Sequence, residues 1–118
     1  MQFKVSKEFI EQVTALIESK NDHELEVLLT DLHHADIAEI LDELSFDDAT
    51  HIFKILDSEK TAEILLELDE DLRENILSRL SSKEIAEELG ELETNDAADI
   101  IAELSQQIKE EVISELQD

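Results

Sequence analysis

Asp96, Asp99 and Glu103 stand in the segment ETNDAADIIAEL (93–104) at i, i+3 and i+7. On a helix that spacing gathers the three carboxylates into an arc of about 60°. Ala97, Ile100, Ile101 and Leu104 form an apolar stripe beside them, which reads as core. Clustered carboxylates have two ordinary uses. They solvate an exposed face, where Asp96 also suits a helix N-terminus, or they offer oxygen ligands to a hard cation or a cationic partner. The residues by themselves leave both readings open. Glu39, Glu63, Glu87 and Glu111 share the register of Asp99 at multiples of twelve residues and read as solvated positions.

Other reactive side chains are sparse. His33 and His34 precede Asp36, but neighbouring residues of a helix point in different directions, and no third ligand follows at metal-binding spacing. They read as a corner before a helix, with Asp36 in its first turn. His51, in ATHIFKIL, reads as a surface or boundary residue. The chain has no Cys, no Gly-rich phosphate loop, no H-E-x-x-H and no nucleophile placed beside a base. With aromatics at 3% there is little to line a substrate cleft, so no enzyme is expected.

Charge narrows the partners. Nine Lys and Arg against 33 Asp and Glu leave a formal charge of −24 over 118 residues. Nucleic acid and anionic membrane surfaces both need a basic footprint, and this chain presents the opposite. A cation or a cationic surface would relieve the self-repulsion. At 42% hydrophobic residues the composition is not that of a disordered acidic chain. No apolar run approaches membrane-spanning length, and residues 1–20 lack the apolar core of a signal peptide. No membrane insertion is expected of this chain, which reads as cytoplasmic.

The elements that position these groups follow from a repeat. Leu32, Leu44, Leu56, Leu68, Leu80, Leu92, Leu104 and Leu116 stand twelve apart. Four residues before each is an Ile, Leu or Val, except at Glu88; three before each is Leu, Ile or Phe. Twelve residues make about three and a third helical turns, so on one continuous helix the stripe would rotate by about 120° per repeat. Polar triplets such as Asp57-Ser58-Glu59, Ser81-Ser82-Lys83 and Glu93-Thr94-Asn95 supply helix caps at that interval. The pattern predicts short helices of about eight to ten residues separated by tight corners and stacked to hide their stripes. A longer helix over about 6–20, capped by Ser6 and carrying Phe9, Ile10, Val13, Leu16 and Ile17, precedes an array over about 22–118. The expected fold is all-α, a right-handed superhelix of short helices forming one domain over 1–118. Glu88, in an apolar slot, is expected to reach water through a shift of its helix, or else to serve a partner interface.

Two segments carry a family likeness. LHHADIAEILDEL (32–44) and ETNDAADIIAEL (93–104) resemble the N-terminal cytoplasmic domain of the MgtE magnesium channel/transporter family, with its LHPADIAEILEEL-like and DPDDAADLLEEL-like segments. The similarity runs from about residue 22 to 118. It implies an all-α superhelix on the cytoplasmic side of the inner membrane, followed in a longer, homodimeric parent by CBS domains, a connecting helix and a pore that this chain does not contain. It further implies that Mg²⁺ bridges carboxylates of this domain and the CBS domains in a closed state. At low Mg²⁺ the acidic faces repel and the pore can open. Asp99 and Asp96 match acidic positions of the family motif and would be direct or water-mediated ligands, with Glu93, Asn95 and Glu103 as supporting oxygens. Asn95 replaces an acid of the motif, Glu93 and Thr94 replace an Asp-Pro pair, and His34 stands where the family has Pro. Mg²⁺ suits such a face, because it binds oxygen, keeps several waters and needs only one or two carboxylates per site. The alternative is a structural α-helical adaptor related to flagellar motor-switch modules, working through an apolar groove with no specific ion site.

Overall fold

Ser6 sets the first helix boundary. In a computed structural model describing residues 5–117, its hydroxyl accepts from the Phe9 N–H and starts α1, Lys7–Glu18. Eight further helices follow among the described residues, with no strand: α2 Asp22–Thr30, α3 His34–Asp42, α4 Phe46–Ile55, α5 Ser58–Glu67, α6 Glu70–Ser78, α7 Ser82–Gly90, α8 Thr94–Glu103 and α9 Gln106–Leu116. Each helix from α2 onward repeats the last at the twelve-residue step, so the all-α repeat fold is as the sequence predicts. The ends of the expected 1–118 span, residues 1–4 and 118, lie outside the described residues.

The corners form where capping residues stand. Ser45, Asp57, Ser81 and Ser105 each accept a hydrogen bond from a backbone N–H of the helix they precede. Ser81 and Glu84 complete a reciprocal capping box, which satisfies two otherwise orphaned donors. His33 caps α3 through Nδ1, 3.1 Å from the Ala35 nitrogen. Being at the corner rather than inside the helix, its ring can turn against that of His34, with centroids 4.1 Å apart. The pair thus forms the corner before a helix that the sequence predicts, with Asp36 in the first turn of α3.

Packing follows alternate helices. α3 lies on α5, α5 on α7 and α7 on α9, while α2 lies on α4 and α4 on α6, with α1 covering α2. The result is two interleaved columns joined by the corners. Across the columns, Lys60 Nζ of α5 donates to the Thr30 carbonyl of α2 at 2.8 Å. The core is a single run of side chains including Leu29, Ile40, Leu41, Ile52, Phe53, Ile64, Leu65, Ile76 and Leu89, all essentially removed from water. Burial of such side chains contributes about 1.5–3 kcal/mol each and is what holds helices too short to persist alone. The radius of gyration, 14.4 Å, exceeds the ~13.5 Å of a round domain of this size. The extents of 42 × 29 × 23 Å confirm an elongated body.

Candidate functional site

α8 carries the acidic segment and is the array's least buried inner helix. Only Ile100 is buried on it, whereas α3, α4, α5 and α7 each bury four residues. Ala97, Ile101 and Leu104 are half-buried against the core, so the stripe is core as expected. Glu93 stands at the N-cap, exposed and without a side-chain cap bond. Asn95 and Asp99 are exposed, and Asp96 is half-buried in the first turn. These oxygens share the N-terminal end and outer edge of α8.

Glu103 is held differently. Its carboxylate takes a two-pronged contact from Arg73 of α6, with Nε donating at 3.1 Å and Nη2 at 3.0 Å. Arg73 also donates to the Leu68 carbonyl at 3.1 Å. Two parallel charge-assisted bonds fix the geometry of both side chains, so Glu103 ties α8 to α6. Among the described residues no group of three or more His, Asp or Glu side chains comes together as a metal-holding cluster.

A second polar site lies inside the array. Glu88 is 7% exposed, in the apolar slot of α7. Thr61 of α5, fully buried, places Oγ1 at 2.7 Å from both carboxyl oxygens. The expectation that the helix shifts to bring Glu88 to water is therefore wrong: α7 keeps its register, and a hydroxyl on the neighbouring helix receives the carboxyl instead. Burial pushes its pKa up to about 7; the Thr61 hydrogen bond opposes that rise, and the negative charges of Glu87, Glu91 and Asp57 add to it.

Three more contacts link helices two apart. His51 Nε2 of α4 lies 2.8 Å from Asp22 of α2, His34 of α3 lies 3.7 Å from Glu67 of α5, and Ser82 of α7 donates to Glu111 of α9 at 2.8 Å. Thr61 and Arg73 carry a signal that was readable in the sequence. Their repeat position holds Leu25, Ile37, Ala49, Ile85 and Ala97 in five other repeats, with Lys109 in the last, so a polar residue inside the array asks for a partner.

Among the described residues no helix is long and apolar enough to cross a membrane. Comparison with curated proteins finds no match. A family model described as the MgtE intracellular N domain does match, over residues 32–118, from the corner before α3 onward. With most of the chain covered, it belongs to the MgtE N-domain family, whose members are cytoplasmic domains of magnesium transporters rather than enzymes.

Proposed function

We propose that this chain is a Mg²⁺-sensing regulatory domain, acting against CBS domains of the same parent chain in a homodimeric transporter. The observation that carries the reading is the outward acidic edge of α8, where Asp96, Asp99, Asn95 and Glu93 present oxygen atoms on a lightly packed helix. The donor set fits Mg²⁺, a hard ion that takes oxygen ligands and keeps part of its water shell. Asp99 and Asp96 would hold the ion directly or through water, with Asn95 and Glu93 assisting. Glu103 would join only by leaving Arg73, so its support is electrostatic. Because among the described residues no three such side chains gather into a cluster that could hold the ion alone, the remaining ligands would belong to the partner surface. When bound, Mg²⁺ supplies the double positive charge that lets two acidic faces meet. Without that charge, the carboxylates of this face repel the opposing ones, and the domain separates to permit opening.

An adaptor reading draws on a different observation. A groove of about 260 Å³ between α6, α8 and α9 is lined by Leu77, Leu80, Leu104 and Ile108. Amide ¹H–¹⁵N spectra recorded during MgCl₂ addition, with NaCl at matched ionic strength, separate the two. The sensor reading expects saturating shifts at Asp96, Asp99 and their neighbours with Mg²⁺ alone, abolished by Asp99→Asn. Small uniform shifts that Na⁺ reproduces would mean screening only. A chain extended through the CBS domains would then decide: continued absence of localised Mg²⁺ shifts sinks the sensor.

A further inference from the structure

Two departures from the repeat meet each other. Glu88 occupies a slot that is Ile, Leu or Val in every other repeat, and Thr61 occupies one that is mostly apolar. They lie 27 residues apart, and the stacking of α5 on α7 brings them to 2.7 Å. Glu88 alone would be a costly buried defect, whereas the Thr61 hydroxyl has the Ser58 carbonyl of its own helix within reach; together they form a joint within the column α3–α5–α7–α9. The α5–α7 contact is also the sparsest of the three in that column.

The hydrogen-bond arithmetic depends on a proton. Thr61 has one hydroxyl hydrogen and three acceptors in reach: Oε1 and Oε2 of Glu88, and the Ser58 carbonyl at 3.3 Å. With Glu88 ionised, that hydrogen is shared between the two carboxylate oxygens, and the Ser58 carbonyl, in the first turn of α5, keeps its backbone donor within the helix. With Glu88 protonated, its O–H donates to Thr61 Oγ1, and the Thr61 O–H is released to the Ser58 carbonyl. The Thr61 donation therefore supports the ionised carboxyl, and it is burial at the α5–α7 contact that favours the neutral one.

The surrounding charges favour the same state. Asp57 faces the site from the start of α5, and Glu87 and Glu91 flank it on α7. Lys54 of α4 lines the same cavity of about 210 Å³, but its Nζ lies 4.0 Å from Glu84. From α9 the charged group bonded to α7 is Glu111, on Ser82, and α8 carries no cation.

We propose that the Glu88–Thr61 contact is a proton-responsive joint: packed tightly when Glu88 is neutral, and loosened between α5 and α7 when the proton passes to water. The raised value of about 7 places that change within the physiological range. Because the folded state binds this proton more tightly than the unfolded chain, the stabilisation is full below the ordinary glutamate pKa. It is lost as pH rises toward 7.

The test uses the whole chain. The Glu88 carboxyl ¹³C resonance is followed from pH 4 to 9, and urea unfolding is measured over pH 5–8.5 for wild type and Glu88→Gln. Gln keeps a donor to Thr61 at every pH, and subtracting its profile removes the contributions of the other titrating groups. The expected results are a carboxyl midpoint near 7 and a folding constant that falls by about tenfold or more relative to Glu88→Gln as pH rises. A midpoint in the ordinary carboxylate range, or parallel pH profiles, would overturn the proposal. If Glu88→Gln fails to fold, the wild-type carboxyl midpoint and its α5–α7 amide exchange decide: pH-independent protection after correction for intrinsic exchange also rejects the joint.

Discussion

Lys20 sits at φ 61°, the left-handed region where a side chain is strained and glycine is at ease. The strain has a local cause. The Lys20 N–H donates to Ile17 O and the Asn21 N–H to Leu16 O, the paired bonds that end a helix in a left-handed residue. Lys20→Gly should therefore stabilise the domain by about 0.5–1 kcal/mol, after allowing for glycine's freer unfolded chain. Urea midpoints give the measurement, and a destabilised variant would show that the Lys20 side chain contributes contacts worth more than the strain. Glu88 is the opposite case at the same scale. Its side chain is ill-suited to its slot until the facing residue is known, and that residue lies two repeats back in the chain. Its burial was therefore hidden from a reading that treats each repeat alone. The exposed oxygens of Asp99 and Asn95 were easier to read, because solvent-facing positions follow directly from the helical period.

At the element scale the caps decide where each short helix begins. Ser81 and Glu84 bond reciprocally across the start of α7, and the Ser81 backbone N–H holds the Glu84 carboxyl below the usual glutamate range, with Lys54 assisting. This contribution is present above the unfolded pKa and is lost as pH falls through the lower folded value. Ser81→Ala should cost about 1 kcal/mol. Asp69→Ala should cost much less, because Asp69 makes no side-chain cap bond before α6. Equal losses from the two, read by thermal unfolding, would show that the cap hydrogen bond is not what matters at these corners. Corner placement was legible, since an apolar triad cannot stay on one face past about three turns without a break. The partner of each helix was not legible. Periodicity says which side of α5 is apolar, but the corner angles decide that α3 and α7 cover it. The same reason concealed the hold of Arg73 on Glu103, which depends on α6 reaching α8 across the intervening helix.

For the whole molecule the formal charge is −24, and among the described residues few ion pairs oppose it: Arg73–Glu103, Arg79–Asp47 and Lys54–Glu84 join Lys or Arg to a carboxylate. The last two are exposed and contribute little, and Arg73–Glu103 alone offsets little of so large a charge, so general repulsion should dominate the response to salt. Raising NaCl from about 10 mM to 0.3 M shortens the screening length several-fold. The melting temperature should rise by about 4–8 °C, corresponding to ~1 kcal/mol or somewhat more in a domain of this size. An unchanged melting temperature would mean that the carboxylates are already spaced widely enough not to interact. The alternate stacking also has a mechanical consequence. A push on α9 bears first on α7, then on α5 and α3, bypassing the helices that lie between them in the chain. Load along that column must cross the α5–α7 contact, where Thr61 meets Glu88.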